Sequence, residues 1–260
     1  MVVAWVGQKV LDACHYVWAL WELASQALCD LVRPGEQGRR ETLRVITRQI
    51  LFTGVDALPV TTVIALMLGI IIITQAGTQL PRLGAGGLVG SIIVITVIRE
   101  LGPLVTAIIV VGRSGTAIAT ELGNMSVGRE VVALQLLGIP VARFIVMPRM
   151  VGMVAAMICL TLYFDVVAVL GGFLVAKAKL TIPFDAFLEG VTRALSLPDV
   201  ALTALKPILF GSAVAAVCCH HGLSVRSSYT EVPQQTTRAM INSVTLCLLL
   251  DLLITVPTYL

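Results

Sequence analysis

Residues 87–119 read GLVGSIIVITVIRELGPLVTAIIVVGRSGTAIA. The run is longer than the roughly 20 apolar residues that cross a bilayer, yet it carries Arg99, Glu100, Gly102 and Pro103 in its middle. Nothing on either side of VIRELGP reads as a soluble loop. The stretch is predicted to be one membrane-crossing helix that is broken or kinked near Gly102-Pro103, because proline removes a main-chain donor, and that runs past the bilayer surface. A charge in hydrocarbon costs roughly 2.5–3.5 kcal/mol on insertion scales, so Arg99 and Glu100 are expected to face protein or a wet cavity rather than lipid.

The rest of the chain fits that reading. Of its 260 residues 57% are hydrophobic and only 13% charged, and the mean hydropathy is +0.95, which excludes an ordinary soluble domain. Four more apolar stretches, 57–76, 144–176, 201–222 and 238–256, complete a set of about five transmembrane helices. The fold class is all-α membrane protein. Segment 1–52 is assigned to N-terminal interfacial or elbow helices and 53–260 to the membrane domain. Trp5, Trp18 and Trp21 fall in the first of these segments, where indole rings suit the membrane interface; a soluble amphipathic helix packed on a partner is the alternative. A second interfacial stretch carries Arg39, Arg40, Arg44 and Arg48 among apolar residues, with anionic headgroups as natural neighbours. Residues 177–200 read as a short amphipathic connection on the membrane surface.

Charge placement sets the orientation. With the N-terminus inside, twelve Lys and Arg lie on the inner side and five on the outer, which favours a cytoplasmic N-terminus and a C-terminus on the far side. The net charge of +3 is too small and scattered to suggest nucleic acid. The start of the chain lacks the basic opening and unbroken apolar stretch of a signal peptide.

Catalytic motifs are absent: there is no GxxxxGK[ST] phosphate loop, no HExxH and no nucleophile beside a recognisable base. No catalytic residue and no metal site is assigned. His220 and His221 are adjacent and point to different helix faces, and the six cysteines show neither metal nor disulfide spacing. The informative side chains are instead the ionisable ones inside the spans: Arg99, Glu100, Asp165, Lys206 and Asp251. They either fix helix packing as buried ion pairs or line a polar pocket. Small residues at Gly112, Ser114, Gly115 and Gly171-Gly172 suit close helix packing, with a phosphate nest at GRSG as the alternative. Between the second and third spans, residues 124–139 open with turn formers and then offer a short helix closed by Gly138 and Pro140. Held at the membrane surface by two long spans, it could dock a soluble partner or lie in the interface.

The blocks RELGPLVTAIIVVGRSGTAIATELGNM, LGIPVARFIVMPR, LKPILFGSAVAAVCCHHGL and QQTTRAMINSVTLCLLLDLLIT, in that order over about residues 37–258, resemble the MlaE permeases of ABC transporters that work with MCE-domain proteins. The resemblance implies a homodimeric permease of the bacterial inner membrane with phospholipid as cargo. It implies a cytoplasmic ABC ATPase that binds ATP and Mg in place of this chain, an MCE-domain protein on the outer side, and a small STAS-domain accessory protein. On this chain it implies that Glu130, Val131, Leu134 and Leu137 belong to the ATPase coupling helix. It further implies that Arg99, Glu100, Lys206 and Asp251 are the family's buried charges or line its lipid pocket. One departure is SVGRE before the coupling helix, where many members are more acidic. Two other readings stay open: a stand-alone proton- or ion-coupled carrier using Glu100, Asp165 and Asp251, and a membrane scaffold that transports nothing.

Overall fold

The computed structural model describes residues 39–82, 84, 89–177, 184–195, 197–226 and 228–259, with the isolated positions 18, 20, 22 and 25. Among these there is no strand. Five helical segments are long and apolar enough to cross a membrane, the make-up of a multi-pass membrane protein. Trp5 and Trp21 lie outside the described residues, and Trp18 is exposed.

An elbow helix, Arg39–Thr53, turns into the first span, Leu58–Arg82, through a single 3-10 turn at Val55–Ala57. The turn is pinned from outside. Arg113 of the second span donates to the Phe52 carbonyl at 3.0 Å, pairs with Asp56 at 3.1 Å and lies over the Phe52 ring. GRSG therefore serves as a strut rather than a phosphate nest. It lies inside a helical turn, with Gly115 at φ −63°, and lacks the alternation with left-handed residues that turns successive amides toward an anion.

The second span, Gly90–Val127, is helical throughout and does not break at Gly102-Pro103. It widens into π-helical turns at Val94–Leu101 and Val111–Gly115. The amide of Gly102 bonds back to the Val97 carbonyl, five residues earlier, and the wider register lets a proline follow without ending the helix. The third span, Ala142–Leu174, carries two π turns of its own, at Ala142–Val146 and Val167–Gly171. The fourth and fifth spans are uninterrupted α-helices, Leu197–Leu223 and Glu231–Tyr259.

Small residues decide how closely these helices approach. Gly69 of the first span lies against the third, where a methyl group on it would meet the Ala168 backbone and one on Gly172 would meet the backbone of Gly69. Two apolar cores result. One joins the second to fifth spans around Ile118, Leu122, Met153, Met157 and Phe210; Cys218, Cys219 and Cys247 pack into it as small apolar side chains. The other joins the first three spans to the surface helix Phe184–Ala194, where Phe187 stacks on Phe173 with ring centres 4.4 Å apart. The fourth span is central, with 61% of its most apolar window buried, whereas the fifth buries 22% and shows an apolar face of Leu248, Leu249, Leu252 and Leu253.

Candidate functional site

Pro103 explains the polar cluster at the heart of the bundle. In an α-helix the amide of residue 103 would donate to the carbonyl of Arg99; proline has no such hydrogen, so that carbonyl is open to another donor. Lys206 supplies it. Its ammonium, on a residue only 2% exposed, donates to the Arg99 carbonyl at 2.8 Å, to Glu100 Oε2 at 3.0 Å and to Thr255 Oγ1 at 3.1 Å, and stands 2.8 Å from Asp251 Oδ1. The Thr255 hydroxyl closes the ring by donating to Glu100 at 3.2 Å. One cation thus joins the second, fourth and fifth spans. Its two carboxylate partners are 27% and 12% exposed, so the cluster opens on the Glu100 side into a shallow cleft that Leu202 and Thr258 also line. Glu100 lies roughly ten residues beyond the start of its span, about 15 Å along the helix axis and so well inside an apolar slab.

The residues Arg99, Glu100, Lys206 and Asp251 therefore come together, with Arg99 contributing its main-chain oxygen. Thr255 is the member that sequence reading passes over. It stands four residues after Asp251, on the same helix face, and that spacing was the available signal. Asp165 does not join them. It is 6% exposed on the third span, packs against Gly102, and has no hydrogen-bond partner on either carboxyl oxygen.

At the other end of the bundle the connection between the second and third spans forms a short helix, Glu130–Leu136. It is shorter than the 124–139 read from sequence, because Asn124–Val127 continue the second span. Both of its ends are marked by left-handed residues. Arg129 enters with a left-handed backbone, φ 58°. At the exit Gly138 is also left-handed, φ +74°; its amide bonds to Gln135 O and that of Ile139 to Leu134 O, a Schellman closure that favours glycine. No residue of this helix is buried. Val131 and Leu134 are half-buried, Leu134 against the core of the bundle, whereas Glu130, Val132, Leu136 and Leu137 are exposed, the last two at 84% and 75%. The sequence reading named Val131 and Leu134 for docking and left out Leu136, because a seven-residue segment shows too few turns for its faces to be told apart.

Near this end His221 contacts Gln235 through Nδ1 at 3.1 Å and Asn242 through Nε2 at 3.0 Å. Both ring nitrogens are occupied by amide side chains, which makes the residue a tie between the fourth and fifth spans. Among the described residues no three His, Cys, Asp or Glu side chains stand close enough to hold a metal ion.

The comparisons with known proteins agree with this architecture. The family model described as Permease MlaE matches residues 46–257. A probable ABC transporter permease of Rickettsia typhi is 34% identical over 213 residues, 82% of each chain. A probable ABC transporter permease of Rickettsia bellii is 32% identical over 96% of this chain and 95% of its own. The intermembrane phospholipid transport system permease protein MlaE of Haemophilus influenzae is 25% identical over 85% of each chain. With the match extending from the elbow helix to the end of the fifth span, the chain belongs to the MlaE permease family of ABC transporters.

Proposed function

We propose that this chain is the membrane-spanning subunit of an ATP-driven transporter that moves phospholipid between the bacterial inner membrane and the outer envelope. It works as a homodimer, with the N-terminus cytoplasmic and the C-terminus periplasmic. The observation that carries the reading is the short helix Glu130–Leu136: closed at its C-terminal end by Gly138, held between two spans, and turning Val132, Leu136 and Leu137 outward. Exposed leucines on a structured polar connection mark a surface that a partner covers. That partner is a cytoplasmic ABC ATPase, which binds ATP and Mg. An MCE-domain protein receives or delivers lipid on the opposite side, and a small STAS-domain protein attends the ATPase. Phospholipid as cargo is supported by the name of the Haemophilus influenzae relative.

The geometry suggests how the parts act together. A push on the short helix reaches the second and third spans through the connections at Gly128-Arg129 and Gly138–Pro140, and both spans contain π turns, Ala142–Val146 at that end and Val111–Gly115 farther along the second span. Such turns are sites where a helix changes register at small cost. Lys206 binds the second span to the fourth and fifth, so the three move as one unit, and ATP binding in the partner shifts the population of two arrangements around the lipid path. The test is co-purification. Leu136→Asp with Leu137→Asp is expected to leave the chain in the membrane and to remove the ATPase; an ATPase that still co-purifies contradicts the docking assignment. Asp165, buried without a partner, is the feature that fits an ion-coupled carrier, and transport by the purified chain without nucleotide would favour that reading instead.

A further inference from the structure

A second amphipathic cavity lies far from Lys206. Between the elbow helix and the second and third spans, at the end that carries the short helix, there is a cleft of about 440 Å³, within the size range of small-molecule sites. Its lining is mixed. Arg48, Gln49, Glu121 and Arg149 are polar, while Phe52 and Phe144 are aromatic. Arg149 is 8% exposed; its Nη2 stands 3.0 Å from Glu121 Oε1 and its Nη1 donates to the Ile145 carbonyl at 3.5 Å. A guanidinium has five N–H donors, so these two contacts leave capacity for an anion. Arg48 and Arg149 against Glu121 give a formal charge of +1.

With the elbow helix in the membrane interface, this cleft stands at the level of the lipid headgroups. The helix exposes Leu43, Leu51 and Phe52 alongside arginines, the composition of a helix lying in the membrane interface. Its position on the third span is fixed by Gly152, where any side chain would meet Gln49. Basic pockets between membrane helices suit anionic headgroups, and arginine forks match phosphate oxygens. We infer that the cleft between the elbow helix and the second and third spans binds an anionic phospholipid from the adjoining leaflet. The phosphate lies against Arg48 and Arg149 and the first acyl carbons against Phe52 and Phe144. The site rests on the membrane architecture alone and holds whether or not the chain is coupled to an ATPase.

The experiment uses the full-length chain in phosphatidylcholine nanodiscs doped with phosphatidylglycerol, followed by native mass spectrometry of the protein with its retained lipid. Wild type is expected to keep phosphatidylglycerol in preference to phosphatidylcholine. Arg48→Glu, on an exposed side chain, is expected to keep about tenfold less at an unchanged melting temperature, the loss of one charge-assisted contact. Ala117→Phe, which fills the cleft without changing charge, is expected to lose the lipid as well. Equal retention by wild type and Arg48→Glu overturns the site, even where Ala117→Phe fails to fold. Displacement of the lipid by millimolar inorganic phosphate also overturns it, since a free-phosphate site is then present instead.

Discussion

Lys206 and Asp165 are both ionisable, both buried and both inside a span, yet one has four oxygen neighbours and the other has none. Lys206 gathers a carbonyl freed by Pro103, two carboxylates and a hydroxyl from three helices. Asp165 rests against Gly102, the residue before the same proline, without a donor. A buried charge with complete partners is a structural joint, and its removal leaves the partners exposed to the low dielectric. A buried acid without partners contributes little that its removal could take away.

Five substitutions test that contrast. Lys206→Met strands Glu100 and Asp251 and is expected to cost about 3–5 kcal/mol, seen as a collapse of monodisperse protein in detergent; a melting temperature close to wild type removes the joint. Gly102→Ala sets a methyl against the Asp165 carboxyl, with an expected loss of about 1–3 kcal/mol. Combining it with Asp165→Ala recovers most of that loss, and a double variant no better than the single one shows that the two residues do not touch. Thr255→Val deletes one hydroxyl from the ring and is expected to lower stability by about 0.5–1.5 kcal/mol. The smallest effect belongs to Asp165→Asn, expected to change the melting temperature by no more than a degree or two, within about 0.5 kcal/mol. A large loss there would mean that Asp165 has a partner.

How much of this was legible in the sequence varies with the range of the interaction. The five spans follow from apolar length, and the stop at Gly138 follows from local backbone chemistry. The outcome at Gly102-Pro103 was not legible in the same way. A proline in an apolar run predicts a break, but neighbouring side chains and π turns can absorb the missing hydrogen bond, and here Lys206, more than 100 residues away, fills the open carbonyl. Asp165 reads like the other intramembrane acids because composition places it in a span; which face it takes depends on how the third span rolls against the second. The ion pair of Arg149 with Glu121 and the strut from Arg113 to Asp56 escaped the sequence for the same reason. Each joins residues far apart along the chain through helix packing that no local pattern encodes.

On the proposed function, movement of the short helix drives lipid through this bundle. The most direct test is transfer of fluorescent phospholipid by the complex reconstituted in liposomes, with and without ATP, comparing wild type with Leu136→Asp/Leu137→Asp. ATP-dependent transfer that disappears in the variant, while the membrane subunit stays folded, is the predicted result. Transfer by the variant at the wild-type rate, or by the wild-type chain without ATP, contradicts it.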